Sequence, residues 1–411
     1  MGDQAERRSG ELDDAVIRAV RRRLGIPKRN RQRPHNEFVT LDAVRHFALG
    51  YGDDNPLWCD QDYGRTSVWG DVVAPPMFPT SAGISVPVTW SPDEQKAMAG
   101  GDPLAGLGQN MCGERWVFLR PVQPGVQLTK SESIDAAELK RSAFGGGLGA
   151  LVSHRVEFRS KDDGGLVSVR YLDFWHTERE RSGAAGKYRD IEPTTYTPEF
   201  MAELDRLYEE EAVRGPEPRP WESVEVGDSL GTIAKGPLTL TDIITYHVAI
   251  GWGGGYGGGT GKVAYNNRKR IPKFYIPNAQ GVPDSAQRCH WDSAWAQHLG
   301  HPAAYDYGAM RTNWMIHLIT NWMGDSGWLW KLSAAVTKFN YVGDAHRISG
   351  TVTGVRGGSG TGEVELCIEG SNQRGETTCR ATATVLLGLS GTRTPALPDP
   401  EVLDVPQAAA P

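Results

Sequence analysis

The chain has 411 residues, of which 39% are hydrophobic and 23% charged, and it contains no apolar run long enough to cross a bilayer. Its net charge of −6 gives no general attraction to nucleic acid. Its five scattered cysteines argue against disulfides and a zinc site. The first residues lack the basic and then apolar order of a secretory signal, which predicts a cytoplasmic protein without a membrane segment.

A repeated segment predicts that two copies of one domain account for the length of the chain. His46-Phe-Ala-Leu-Gly-Tyr-Gly52 returns 201 residues later as His247-Val-Ala-Ile-Gly-Trp-Gly253. Trp58-Cys-Asp60 and His290-Trp-Asp292 form a second matched pair. Because 411 residues exceed one ordinary core, two copies of about 170 residues each fit the chain well.

The first copy is predicted at residues 35–180, after an N-terminal helix and a basic segment at 1–34. The helix spans residues 11–25, with acidic residues at its start, basic residues at its end and Gly25 as its stop. A second short helix runs from Val39 to about His46. Strand-like segments follow, beginning at 116, 125, 149 and 166. Helices followed by antiparallel strands predict an α+β domain.

The second copy is predicted at residues 218–392, after a linker at 181–217 that contains a helix at 199–211. It begins with a helix at 241–249 and a long glycine-rich and basic insertion at 251–283. Met310, Trp314 and Leu318 share one face of a helix at 308–322, which we expect a sheet to wrap. The remaining predicted elements are strands at 335–339, 347–355, 363–369 and 378–387 and a disordered tail at 393–411.

Several short motifs occur in the same order in both copies. They are Gly52-Asp-Asp-Asn-Pro-Leu57, Ala74-Pro-Pro76 and Pro121-Val-Gln-Pro-Gly125 in the first, and Val226-Gly-Asp228, His290-Trp-Asp292 and Asn372-Gln-Arg-Gly375 in the second. In these motifs the chain resembles the MaoC-like hydratases and dehydratases. It is most similar to the double hot-dog group whose first half is a fatty-acid-synthase-type dehydratase domain. The resemblance covers roughly residues 35–180 and 218–390.

This resemblance implies a double hot dog, in which each of two tandem domains wraps an antiparallel sheet around a long central helix. It also implies a hydratase or dehydratase of 3-hydroxyacyl and enoyl thioesters carried on coenzyme A or an acyl carrier protein. The many tryptophans and tyrosines predict a bulky or long acyl group. Such a reaction requires neither a metal nor a redox cofactor, and a monomer or a homodimer is compatible with it.

The family's hydratase motif is Gly-Asp-x-Asn-Pro-(Leu/Ile)-His, and neither copy matches it fully. Asp53 and Asn55 match in the first copy, but Trp58 stands at the histidine position. Because an indole can only donate a hydrogen bond, the first loop alone is not expected to dehydrate a substrate. In the second copy His290 falls at the histidine position, whereas Asp284 lies six residues upstream of it instead of five.

We therefore predict that the second copy carries the working site. His290 is the expected acid/base with Asp284 as its partner, and the backbone at Gly308 and Ala309 is the expected oxyanion hole. The alternatives are a core or capping histidine at 290, a turn at Asp284 and a helix cap at Asp53 and Asn55. Two other functions remain open on the same scaffold, a cyclase acting on a polyketide-like intermediate and a non-catalytic acyl-binding subunit.

Overall fold

The computed structural model describes residues 10–30, 33–141, 147–178, 191–192, 194–251, 260–358 and 360–409. Most of the glycine-rich start of the insertion and the first part of the predicted linker lie outside these residues. No helix within the described ranges has the length and the hydrophobicity that crossing a membrane requires.

In each half of the chain, helices precede a run of four long strands. The helices are α1 (Asp14–Arg21), α2 (Leu41–Leu49), α3 (Pro56–Cys59), α4 (Gln61–Thr66), α5 (Pro92–Met98), α6 (Pro198–Glu209), α7 (Leu240–Ala249), α8 (Gly261–Arg270), α9 (Ser293–His298) and α10 (Gly308–Met323). The strands are β1 (Ile84–Ser85), β2 (Gly108–Phe118), β3 (Leu128–Arg141), β4 (Leu148–Ser160), β5 (Leu166–Thr177), β6 (Ser229–Lys235), β7 (Tyr275–Pro277), β8 (Pro283–Ser285), β9 (Trp328–Val336), β10 (His346–Gly357), β11 (Thr361–Asn372) and β12 (Thr377–Gly388).

Ten strands form one continuous sheet that runs through both halves of the chain. Their order is β1-β3-β4-β5-β2-β9-β12-β11-β10-β6, and every neighbouring pair except β1 and β3 is antiparallel. The halves join where residues 113–117 of β2 pair with residues 331–335 of β9. At Gly113 an added Cβ would lie 2.7 Å from the carbonyl oxygen of Ala334, so this register needs glycine. The predicted α+β class and antiparallel strands are confirmed.

Helix α10 is the central helix and packs against this sheet. It contacts β2, β6, β9, β10, β11 and β12, and all fifteen of its residues after Gly308 are buried. A helix buried on every side must give each polar side chain a partner, because an unpaired polar group in the core costs free energy. Its polar residues, among them Arg311 and His317, therefore position much of the surrounding structure.

The N-terminal half departs from the expectation of a long central helix in each domain. Within its described residues the longest helix is α2, with nine residues. Residues Phe78–Ser81, which follow Ala74-Pro-Pro76, form only a short 3-10 turn. Pro75, Pro76 and Pro79 lack the N–H groups that a longer α-helix would use, so the prolines account for the shortened element.

The two repeated segments meet as helices α2 and α7. They pack so closely that an added Cβ on Gly50 would lie 2.3 Å from the Cβ of Ala249. This contact explains why the first copy places a glycine at the end of its helix.

Within the described residues the C-terminal tail, predicted to be disordered from residue 393, contacts the sheet as far as residue 409. Leu403 and Val405 pack against the buried cluster that contains Val117 and Val169, and the backbone N–H of Ala409 donates to Ser333 Oγ at 2.8 Å. Two apolar anchors in a proline- and alanine-rich segment are enough to hold it on the sheet.

Replacing Arg311 with methionine should strongly destabilise the protein. The Arg311 side chain is only 2% exposed, and its Nε lies 3.0 Å from Oδ2 of the buried Asp306. Removing the guanidinium leaves that carboxylate buried without its cation, which costs about 3–5 kcal/mol. Urea unfolding followed by circular dichroism measures the loss.

The matched control is Arg65→Met, which removes an exposed ion pair with Asp62. It should change the free energy of unfolding by less than about 1 kcal/mol. Equal effects of the two substitutions would contradict a structural role for the buried pair.

Candidate functional site

His290 closes a short 3-10 turn, Ala286–His290, immediately before helix α9. Its Nδ1 lies 2.8 Å from the backbone carbonyl oxygen of Tyr305. Because a carbonyl oxygen can only accept, the hydrogen bond places the proton on Nδ1. The lone pair of Nε2 is then left to act as a base or a hydrogen-bond acceptor.

Aromatic rings surround His290 at the start of the central helix. The ring centroid of Tyr307 lies 3.8 Å away and that of Tyr305 4.9 Å away. The hydroxyl of Tyr307 is also 2.7 Å from Nδ1 of His247, whose ring meets Trp291 edge to face. His290, Tyr307 and His247 thus form one connected group of titratable side chains, which we call the His290 cluster.

Burial holds both histidines of this cluster in the neutral form. It lowers the pKa of His290 to about 4, although the carbonyl of Tyr305 and the charge of Asp306 oppose the shift. Burial likewise lowers the pKa of His247 to about 4. Burial also raises the pKa of the Tyr307 hydroxyl well above its usual value, so the phenol keeps its proton. A neutral imidazole beside a protonated phenol is a base next to a donor.

The central helix begins within this cluster, at Gly308. The first N–H groups of an α-helix have no partner inside the helix, and no side chain caps this end through Tyr307. The N–H groups of Gly308 and Ala309 therefore have the geometry of a helix N-terminus, which favours a developing negative charge. Gly308 is also close-packed, since an added Cβ would lie 3.2 Å from Met111 Sδ.

Asp284 is not brought to His290. Its Oδ1 accepts the backbone N–H of Ser285 at 2.7 Å, and no hydrogen bond or ion pair joins it to His290 in the described part of the chain. The guanidinium of Arg288 donates to the carbonyl oxygens of Ile276 and Asp284 and so fastens the β7–β8 hairpin. The predicted pairing is therefore absent, and Asp284 takes part in local turn structure.

Asp306 is the carboxylate whose charge acts on His290. Asn340 Nδ2 donates to its Oδ2 at 2.8 Å, and Arg311 pairs with the same oxygen. Burial raises the pKa of Asp306, an effect that Arg311 and Asn340 oppose. Asp306 is not among the site residues predicted from the sequence, because it precedes the predicted helix and matches no motif position.

Asp53 and Asn55 act as loop and cap residues. Asp53 accepts the backbone N–H of Asn55 at 3.1 Å and the hydroxyl of Tyr51 at 3.0 Å. Asn55 Oδ1 accepts the N–H of Leu57 at 2.9 Å and caps helix α3. These contacts agree with the capping alternative for the Gly-Asp-x-Asn-Pro segment.

Asp53 also belongs to a buried ionic cluster that ties the halves together. His317 Nε2 lies 3.5 Å from Asp53 Oδ1 and 2.9 Å from Oε1 of Glu211 in the linker. Lys235 Nζ lies 2.8 Å from His317 Nδ1 and donates to the carbonyl of Gly52 at 2.6 Å. Burial lowers the pKa of Lys235. The only sequence signal for this cluster is a histidine inside an apolar helix.

Known proteins resemble the chain in sequence over its first half and in fold over most of its length. Residues 30–167 match the family described as FAS1-like, dehydratase domain region. A UPF0336 protein of Streptomyces avermitilis is 28% identical over 101 residues, which are 24% of this chain and 61% of that protein. A UPF0336 protein of Streptomyces coelicolor is 30% identical over 101 residues, with the same coverage of 24% and 61%. The chain thus spans about three fifths of the length of these relatives.

A solved structure described as a MaoC-like dehydratase superimposes with a TM-score of 0.58. It is 17% identical and covers 90% of this chain and 99% of its own. At that identity the likeness establishes the fold. The predicted double hot-dog fold is confirmed, and the resemblance to MaoC-like proteins is confirmed at the level of the fold; the family model matches residues 30–167, within the N-terminal half.

The neutral histidines should make stability depend on pH in a defined window. An unfolded histidine titrates near pH 6.5, whereas His290, His247 and His301 in the folded protein have a pKa of about 4. Between these values the unfolded chain binds more protons, so the free energy of unfolding should fall as the pH falls from about 6.5 to 4. Urea unfolding at several pH values measures this slope.

His290→Gln should reduce the slope, because one titrating group is removed. The control His298→Gln changes an exposed histidine on α9 and should leave the slope of the free energy of unfolding against pH unchanged. Equal slopes for the wild type and His290→Gln would contradict a neutral buried ring at position 290.

Proposed function

We propose that the chain is a hydratase or dehydratase of acyl thioesters and that the His290 cluster carries the proton transfers. The FAS1-like dehydratase match and the fold shared with a MaoC-like dehydratase support the reaction class. The observation that carries the assignment of the site is the hydrogen bond from His290 Nδ1 to the Tyr305 carbonyl. It holds a neutral imidazole beside the start of the central helix.

In hydration, the thioester carbonyl accepts hydrogen bonds from the N–H groups of Gly308 and Ala309. His290 Nε2 removes a proton from water as the water oxygen bonds to C3. The electron pair of the C2–C3 double bond moves onto the thioester oxygen, where the N–H groups stabilise the enolate. The electron pair then returns to C2, which takes the proton that His290 Nε2 removed from the water, so the imidazole is neutral again and the product is the 3-hydroxyacyl thioester. Dehydration follows the same steps in reverse.

The second polar group of the site is Tyr307 in this proposal, in place of the aspartate of the family motif. Its hydroxyl is bonded to His247 and keeps its proton. A phenol of this kind orients the reacting water by hydrogen bonding and does not need to ionise. Asp306 contributes through its charge, because it already pairs with Arg311.

The aromatic walls of the cluster favour a bulky acyl group, carried on coenzyme A or on an acyl carrier protein. They also favour a second candidate, cyclisation of a polyketide-like intermediate. His290 lies between Tyr305 and Tyr307, and such rings can hold a folded unsaturated chain. Turnover of simple enoyl thioesters separates the two candidates, because a cyclase has no use for them.

Purified protein should hydrate enoyl-coenzyme A substrates, and His290→Gln should lower kcat by about 10²–10⁴-fold. Glutamine keeps a hydrogen-bonding side chain but cannot take up a proton near neutral pH. The assay follows the loss of the conjugated enoyl absorbance with crotonyl-coenzyme A and with longer and branched substrates.

Two further variants test the assignment of the reaction to the His290 cluster. Tyr307→Phe keeps the ring and removes the hydroxyl, so it should lower kcat, and circular dichroism checks that the variant is folded. His298→Gln is the exposed control and should retain full activity. If His290→Gln turns over as fast as the wild type, His290 is not the acid/base of the reaction.

A further inference from the structure

Helix α8 belongs to the insertion that distinguishes the second copy from the first. The first copy passes from Gly52 through a short loop to Trp58, whereas the second copy places the insertion before the hairpin and turn that end at His290. None of the residues of α8 is buried, and Val263 and Tyr265 are 57% and 47% exposed. A helix that buries no side chain of its own has its surface available to a partner. The reaction proposed above gives this helix no role.

The insertion carries a positive charge that it does not balance itself. Residues 261–283 contain five Lys and Arg residues and no Asp or Glu, in a chain whose net charge is −6. Lys262, Lys269 and Lys273 are exposed and form no ion pair within the part of the chain that the structure describes. Cations without a local counter-charge attract an acidic partner and orient its approach.

The positive side chains of α8 share one side of the helix. At about 100° per residue, Lys262, Lys269 and Arg270 lie within a sector of about 100°, and all three are exposed. They extend over about 12 Å along the helix axis. Tyr265 and Val263 border this sector on its two sides, and Lys269 Nζ lies 4.5 Å from the centroid of the Tyr265 ring. These five residues form a surface that we call the α8 face.

The shape of the α8 face distinguishes between anionic partners. A single phosphate is bound where several donors converge on it, whereas the cations of a convex helix radiate outward. A membrane-binding helix needs a separate apolar face, whereas Val263 and Tyr265 only border the cations. An acidic helix presents carboxylates three or four residues apart along its axis, so it can pair with cations spread over about 12 Å.

A short hairpin connects α8 to the His290 cluster. Tyr275 in β7 pairs with Ser285 in β8, and Ser285 caps the five-residue turn that ends at His290. Crossing the hairpin takes about 5 Å and the turn about 10 Å, so the Cα atom of Tyr275 lies within about 15 Å of that of His290. The charges of Arg270 and Arg268 oppose the rise in the Tyr275 pKa that burial causes, so these side chains act at the same hairpin. The basic end of α8 is therefore attached to the segment that carries the proposed base.

We propose that the α8 face docks an acidic helix of a carrier protein that delivers the acyl thioester to the His290 cluster. This inference rests on the proposed function for the thioester, and it names a protein as the preferred carrier. Acyl carrier proteins are small, acidic and helical, and they hold the acyl group at the end of a flexible arm. Carboxylates of the partner pair with Lys262, Lys269 and Arg270, while Tyr265 and Val263 pack at the edges of the contact.

Charge reversal on the α8 face tests the docking directly. The double variant Lys262→Glu/Lys269→Glu should raise the Kd for a holo-acyl carrier protein by about tenfold at low salt, because each change replaces an attraction with a repulsion. Fluorescence anisotropy of the labelled carrier protein measures the Kd, and about 0.5 M salt should remove most of the difference. Circular dichroism checks that the variant is folded.

The matched control is Lys96→Glu/Lys161→Glu, which makes the same change in net charge on exposed lysines of the N-terminal half. It should leave the Kd for the carrier protein unchanged. Free coenzyme A is the probe for a phosphate site, and its affinity should be equal in the wild type and in Lys262→Glu/Lys269→Glu. An unchanged Kd for the carrier protein in that variant, an equal loss of coenzyme A affinity, or an equal effect of the control would each overturn the proposal.

His290→Gln separates the docking from the reaction, since it should bind the carrier protein as the wild type does while losing turnover. Binding that depends on the α8 face, without turnover of crotonyl-coenzyme A or of the crotonyl-carrier protein, would support the docking and contradict the proposed reaction. Turnover of both thioesters, with binding that is indifferent to Lys262 and Lys269, would support the reaction and overturn the docking.

Discussion

Burial of the central helix on every side is the constraint on which the rest of the structure depends. Helix α10 contacts strands from both halves, which is possible because β2 and β9 join the two sets of strands into one sheet. Although α10 is entirely buried, it carries Arg311 and His317. Each of these side chains pairs with a carboxylate outside the helix. The polar contacts of α10 thus hold three segments in place, which are the linker, the loop that precedes α10 and the loop of the first repeat.

The two ends of this helix have different chemistry. At its start, Arg311 and Asn340 hold Asp306, and the neighbouring carbonyl of Tyr305 orients His290. A neutral base, a phenol and free backbone N–H groups meet there. Beyond its end, Asp325 lines a cavity shared with the first repeat.

The central helix and the fold were predictable from the sequence, and the side-chain contacts around the candidate site were not. The apolar period of residues 308–322 predicts α10 well, and the motif order predicts the fold. The resemblance to the family's motif implied Asp284 as the partner of His290, but Arg288 holds its hairpin in another position. The contact of Asp53 with His317 joins residues that no spacing rule connects. The prolines near Phe78 disfavour a long helix in the first half, and this signal is present in the sequence.

The protonation state of His290 tests the account most directly, because the proposed chemistry requires a neutral ring with its proton on Nδ1. Nitrogen-15 NMR of the imidazole ring, with the resonance assigned by comparison with His290→Gln, reports both nitrogens. Near neutral pH the account predicts a protonated Nδ1 and an unprotonated Nε2. A doubly protonated ring, or a proton on Nε2 alone, would contradict it.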